Sequence, residues 1–162
     1  RQEKERRRAA VVRKVLRVKQ PGACRTKKNH RRHVQVGGFL KVLPSKQHEE
    51  WLEEVLSYAP IIRSQLKQAG AQLPIACEVS VSATIYRDQD QGDLIGYLES
   101  IADAIQEPQF NDRNKCTRKG LGLIEDDRQI VCWDGSRMLV DKQRPRVELE
   151  IEIIGDEQGR LL

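Results

Sequence analysis

The sequence predicts an α+β fold, a single two-layer domain in which a mixed β-sheet packs against two main helices. Three observations predict it. Between residues 75 and 86, Ile75, Cys77, Val79, Val81, Ala83 and Ile85 alternate with Glu78, Ser80, Ser82, Thr84 and Tyr86, the period-two signature of a strand with one buried face. Residues 146 to 154 repeat it, setting Val147, Leu149, Ile151 and Ile153 against Glu148, Glu150 and Glu152. Apolar residues recur at helical spacing over two other stretches, 45 to 69 and 93 to 106. A chain of 162 residues holds one compact domain and is short for two.

In chain order, residues 1–10 form a basic arm without an apolar stripe, expected to be disordered, residues 11–156 the folded domain, and 157–162 a tail. The pattern VVRKVLRV from Val11 predicts a strand that Pro21-Gly22 ends. A polar loop follows, then a short strand around His33 to Leu40 that Gly37-Gly38 allows to bend or bulge. Ser45 is placed to cap a helix whose first half is rich in Glu, and Pro60 should divide that helix in two. Trp51 falls in its aliphatic stripe and is expected in the core. In the helix from Asp93 to about Gln106, Leu94, Leu98, Ile101 and Ile105 fall on one stripe flanked by Tyr97 and Ala102, the expected buried face. Residues 107 to 120 should be a long polar loop, followed by a short strand at Ile130-Val131 and a turn at Asp134-Gly135-Ser136.

Charge is distributed unevenly. Residues 1–33 hold 14 Lys or Arg against 2 Glu, whereas the remaining 129 hold 15 basic and 22 acidic side chains. A basic segment on an acidic body is the footprint of a protein that grips a phosphate backbone. No apolar run approaches the roughly 20 residues of a membrane span, and no signal-peptide pattern opens the sequence, so a soluble, cytoplasmic protein is expected. Cys24, Cys77, Cys116 and Cys132 follow no zinc-ligand spacing, and His30, His33 and His48 add none, so neither a thiol nor an imidazole metal site is expected. What remains is carboxylate chemistry: Asp93 at the start of a helix, and the run Glu125-Asp126-Asp127.

DLIGYLESIADAI, from Asp93, and EDDRQIV, from Glu125, together with PGACRTKKNHRRH and VLPSKQHEEW upstream, resemble the RusA-type crossover-junction endodeoxyribonucleases. These are small homodimeric resolvases of bacteria and their phages that nick four-way (Holliday) DNA junctions with Mg2+ in recombination and repair. The resemblance runs from Pro21 to Ile154 and implies a RusA-like fold. It matches Asp93 to the family's first catalytic Asp and Asp127 to its later carboxylate, with Asp126 beside it. Where the family has a second Asp, an Asn and a Lys on the helix, this chain has Ile95, Gly96 and Glu99.

Glu99 lies one helical turn beyond position 95 and is long enough to bring a carboxylate back toward it, with Gly96 leaving room. Asp93, Glu99 and Asp127 would then form an oxygen-only set suited to Mg2+, or to Mn2+ as a substitute, with Asp88 and Asp90 in reserve. The missing Lys is expected to be replaced by Arg87, Lys115, Arg118 or Lys119, and Lys27, Lys28, Asn29, Arg31 and Arg32 are expected on phosphates. The implied activity is paired nicking of branched double-stranded DNA by a homodimer, without an organic cofactor or a membrane. The alternative is a non-cutting, structure-selective DNA-binding protein of the same fold.

Overall fold

The computed structural model describes residues 14–28 and 31–154; the arm at 1–10, the tail at 157–162, Val11, Val12 and Asn29 lie outside them. The chain is a mixed α+β fold organised on one strand, β4 (Val79–Arg87). Strand β9 (Arg146–Ile153) pairs antiparallel with β4 on one side and with β1 (Val15–Pro21) on the other. The far edge of β4 is shared by two short parallel strands, β7 (Ile130–Cys132) at its start and β8 (Arg137–Val140) at its end.

The register explains the core. Leu16, Ile151 and Val81 lie side by side across three strands, as do Val18, Leu149 and Ala83, and then Gln20, Val147 and Ile85. All nine face inward and are buried. Full burial of a side chain such as Ile85 or Ile151 stabilises the fold by about 2 kcal/mol. The opposite face carries Ser80, Ser82, Thr84 and Tyr86 beside Glu148, Glu150 and Glu152. Ion pairs bind it together: Arg17 with Glu150 at 3.1 Å, and Arg146 with Glu148 at 2.7 Å while its guanidinium covers the Tyr86 ring at 3.6 Å.

Among the described residues the two expected helices form three α-helices, since Pro60 divides the first as expected. Helix α1 is Lys46–Ser57 and α2 is Ala59–Gln68, with Pro60 in the first turn of α2, where its missing N–H has no partner to lose. Ser45 caps α1 by accepting the His48 N–H at 3.1 Å. Trp51 is 3% exposed, a core residue as expected. Helix α3 is Leu94–Ile105. Of its expected buried face, Tyr97, Ile101, Ala102 and Ile105 are buried and Leu94 and Leu98 are half-buried against the core, while Gly96, Ser100 and Ala104 are buried as well.

Two further expectations change. The stretch around His33 to Leu40 is not one bent strand but a hairpin, β2 (Arg32–Val36) and β3 (Phe39–Leu43), since Gly37 and Gly38 both take positive φ and turn the chain round completely. The 107–120 stretch folds partly into a small ribbon, β5 (Gln109–Phe110) with β6 (Cys116–Arg118). It returns at Gly120, where a Cβ would stand 2.1 Å from the Gln106 carbonyl oxygen, so only glycine allows the approach. No helix among the described residues is long and apolar enough to cross a membrane.

Candidate functional site

Between α3 and the Asp127–Gln129 turn lies an open cleft of about 600 Å³. Helix α3 presents Ile95, Leu98, Glu99, Ala102 and Asp103 to it, residues three and four apart and therefore on one helical face. Asp127, Ile130 and Trp133 line it from the other side, and Lys27, Lys28 and Arg31 from the segment between β1 and β2.

That segment is fixed by hydrogen bonds on both sides. The Lys27 N–H donates to Ser100 Oγ at 3.0 Å, and Ser100 Oγ donates to the Gly96 carbonyl at 3.1 Å, which seats the loop on α3. Ser45 Oγ donates to the Thr26 carbonyl at 3.2 Å, and His48 Nδ1 lies 3.0 Å from the Arg25 carbonyl. A carbonyl can only accept, so Nδ1 carries the proton; burial pushes the imidazole pKa down, which keeps this helix-to-loop contact neutral. Held in this way, Lys27 reaches Asp103 Oδ2 and Lys28 reaches Glu99 Oε1, both at 2.6 Å. Arg31 forms no ion pair among the described residues.

The second acidic stretch is positioned by its glutamine. Asp126 accepts the Arg128 N–H at 2.9 Å, and Gln129 Oε1 accepts the Asp126 N–H at 2.8 Å, a reciprocal capping box. The Gln129 amide also donates to the carbonyls of Ile75 and Cys77, at 2.8 and 3.0 Å, which ties the turn to the chain entering β4. The Arg128 guanidinium holds the Asp126 carboxyl down to about 2. Asp127, released from this work, lines the cleft.

Of the expected ligand set, Glu99 and Asp127 both line the cleft and Asp93 does not. Asp93 caps α3, its carboxylate accepting the Gly96 N–H at 2.7 Å. The room left by Gly96 is taken by the Thr26 methyl and the Asp93 carboxylate, 3.2 and 3.3 Å from where a Cβ would lie, and Glu99 turns to Lys28 instead. Asp88 and Asp90 are held elsewhere, by Arg25 at 2.6 Å and by Arg87 at 2.8 Å. The Arg25 guanidinium depresses the Asp88 pKa. Among the described residues, no group of three or more His, Cys, Asp or Glu is gathered closely enough to hold a metal ion.

The expected cations divide similarly. Lys27, Lys28 and Arg31 line the cleft. Arg32 pairs with Glu49 and donates to the Pro44 carbonyl. Arg87 is 9% exposed and braces the loop before α3 through Asp90 and the Gln91 carbonyl, so it faces inward rather than toward a ligand. Arg118 holds the Glu107 carbonyl, Lys119 holds Glu53 at 2.9 Å, and Lys115 lies in the β5–β6 turn. None of these five lines the cleft, so the lysines beside its acids come from the segment before β2. Asp103 and Trp133 were not singled out in the sequence. The signal for Asp103 was its spacing, one turn beyond Glu99 on the same face. No protein-family model matches the chain, and no curated protein matches it.

Proposed function

We propose that the protein is a structure-selective endodeoxyribonuclease that resolves four-way DNA junctions with Mg2+, related to the RusA-type resolvases its motifs resemble. One observation carries this reading: Glu99 on α3 and Asp127 on the Gln129-anchored turn face a single cleft whose third wall is Lys27, Lys28 and Arg31. Mg2+ is commonly held by one or two carboxylates, the remaining positions being filled by water and substrate phosphate, and Glu99 and Asp127 are the cleft carboxylates that would hold it. Mn2+ takes the same oxygen donors. An ion held there would supply an activated water and offset charge on the leaving oxygen.

The chain's own residues do the rest. Arg31 offers a guanidinium to the phosphodiester, and Lys28 exchanges Glu99 for phosphate as DNA enters. Asp103 keeps Lys27 turned into the cleft. Ile130 and Trp133 wall the site with apolar surface, which strengthens the charge interactions beside them. Two such clefts on a C2 dimer would match the approximate two-fold symmetry of a four-way junction.

A specific observation favours the second reading, a DNA-binding protein of the same fold that does not cut. Asp93 is engaged as a helix cap, Ile95 offers the cleft an alkyl group, and both α3 carboxylates in the cleft are neutralised by lysines. A labelled four-way junction incubated with Mg2+ or Mn2+ separates the two. Paired nicks that disappear in Asp127→Asn support the nuclease, and junction binding without nicks in either protein supports the binder.

A further inference from the structure

We propose that the β2–β3 hairpin is a wedge whose apolar tip enters the base stack at the branch point of the DNA held in the cleft; this rests on the branched-DNA reading above and supplies its structural selectivity. Among the described residues, strands β2 and β3 pair only with each other, so the ribbon stands outside the main sheet. At its tip Phe39 is 75% exposed and Leu40 70%, and Val36 pairs directly with Phe39 across the turn. Nothing lies within 4 Å of the Cβ positions of Gly37 or Gly38, so the tip is thin as well as apolar.

The orientation of these side chains selects the occupant. Phe39 and Leu40 are consecutive in a strand and project from opposite faces of the ribbon. A globular partner would cover one face and leave the other wet, whereas two stacked base planes cover both. Apolar side chains inserted between base steps are an established way for proteins to part a stack.

Charge points to the same polyanion. From Arg6 to His48 the chain contains 14 Lys or Arg and not one Asp or Glu. Lys41 lies on the ribbon, and Arg31, immediately before β2, lines the cleft, so the ribbon rises from the rim of the phosphate-binding surface. Arg32 fixes its base to the Pro44 carbonyl and to Glu49. A linear duplex must be unstacked to admit the tip, while at a branch point the stack is already interrupted, so the wedge favours branched over linear DNA.

The test uses the full chain, with a four-way junction and a matched linear duplex carrying 2-aminopurine beside the branch point and at the equivalent duplex position. Wild type should bind the junction more tightly than the duplex and raise the fluorescence at the branch. The double variant Phe39→Ser, Leu40→Ser, altered only at exposed positions, should keep its duplex affinity while its junction affinity falls roughly tenfold, the scale of a lost base-stacking contact, and the fluorescence rise disappears. A variant that retains both junction preference and fluorescence overturns the wedge and leaves the cleft reading standing. Wild type that binds no junction overturns both. A variant that sediments as a monomer where wild type is a dimer, with silent 2-aminopurine in both, overturns the wedge and assigns the tip to contacts between copies.

Discussion

Each acidic stretch divides its carboxylates between two tasks. On α3, Asp93 is spent on the backbone at the first turn, whereas Glu99 points outward and reaches a lysine in the cleft. On the following turn, Asp126 is locked by Arg128 and Gln129, whereas its neighbour Asp127 opens onto the cleft. The difference is one of local backbone: an acid at a helix start meets unsatisfied N–H groups and is captured, while an acid further along has no backbone donor in reach and turns outward.

The sharpest way to break this comparison is Asp127→Asn. Nicking of a four-way junction should fall by about 10²- to 10³-fold, the scale of removing one group that stabilises developing charge, with the melting temperature unchanged. A variant that loses stability instead would make Asp127 a structural acid like its neighbour. Ile95→Asp should then sharpen it. Ile95 is 70% exposed and lines the cleft, so the new carboxylate should tighten Mn2+ binding roughly tenfold in a calorimetric titration, at a stability change within about 0.5 kcal/mol.

Asp93→Ala should behave in the opposite way to Asp127→Asn. The Gly96 N–H loses its partner, and thermal or urea unfolding should show a loss of about 1 kcal/mol while junction affinity is retained. The smallest effect concerns Asp126. Its folded pKa, about 2, lies below the ordinary 3.8, so the stabilisation from its contacts with the Arg128 guanidinium and N–H is present above pH 3.8 and is lost as pH falls through 2. Carboxyl chemical shifts followed from pH 5 to pH 1.5 should place its titration near 2, and in Arg128→Ala the midpoint should move back toward 3.8.

Much of the fold was legible because a buried sheet face writes itself into the sequence. The alternations at 75–86 and 146–154 mark β4, which begins only at Val79, and β9, and Pro60 marked the break between α1 and α2. Strand β8 was missed because RMLV is short, exposed and lies at the edge, where nothing enforces alternation. The burial of Gly96 and Ser100 on α3 was not foreseen because neither is apolar. They are buried for closeness and hydrogen bonding to the Arg25–Lys28 segment, which no hydrophobic pattern registers. In the cleft, Glu99 was singled out by its helical spacing from Ile95 and Asp127 by the resemblance, whereas Lys28, which pairs with Glu99, lies some seventy residues earlier and is brought there by tertiary structure.

The borders of the sheet have a consequence for how copies of this chain can meet. On one border β4 is covered by two short strands in succession, so no long straight row of free peptide groups remains; on the other, β1 carries outward-facing Arg17 and Lys19 and ends at Pro21, which has no N–H to give. Like charges and an absent donor oppose the docking of a second strand there. A pair of these molecules built by extending the main sheet of one into that of the next is therefore disfavoured.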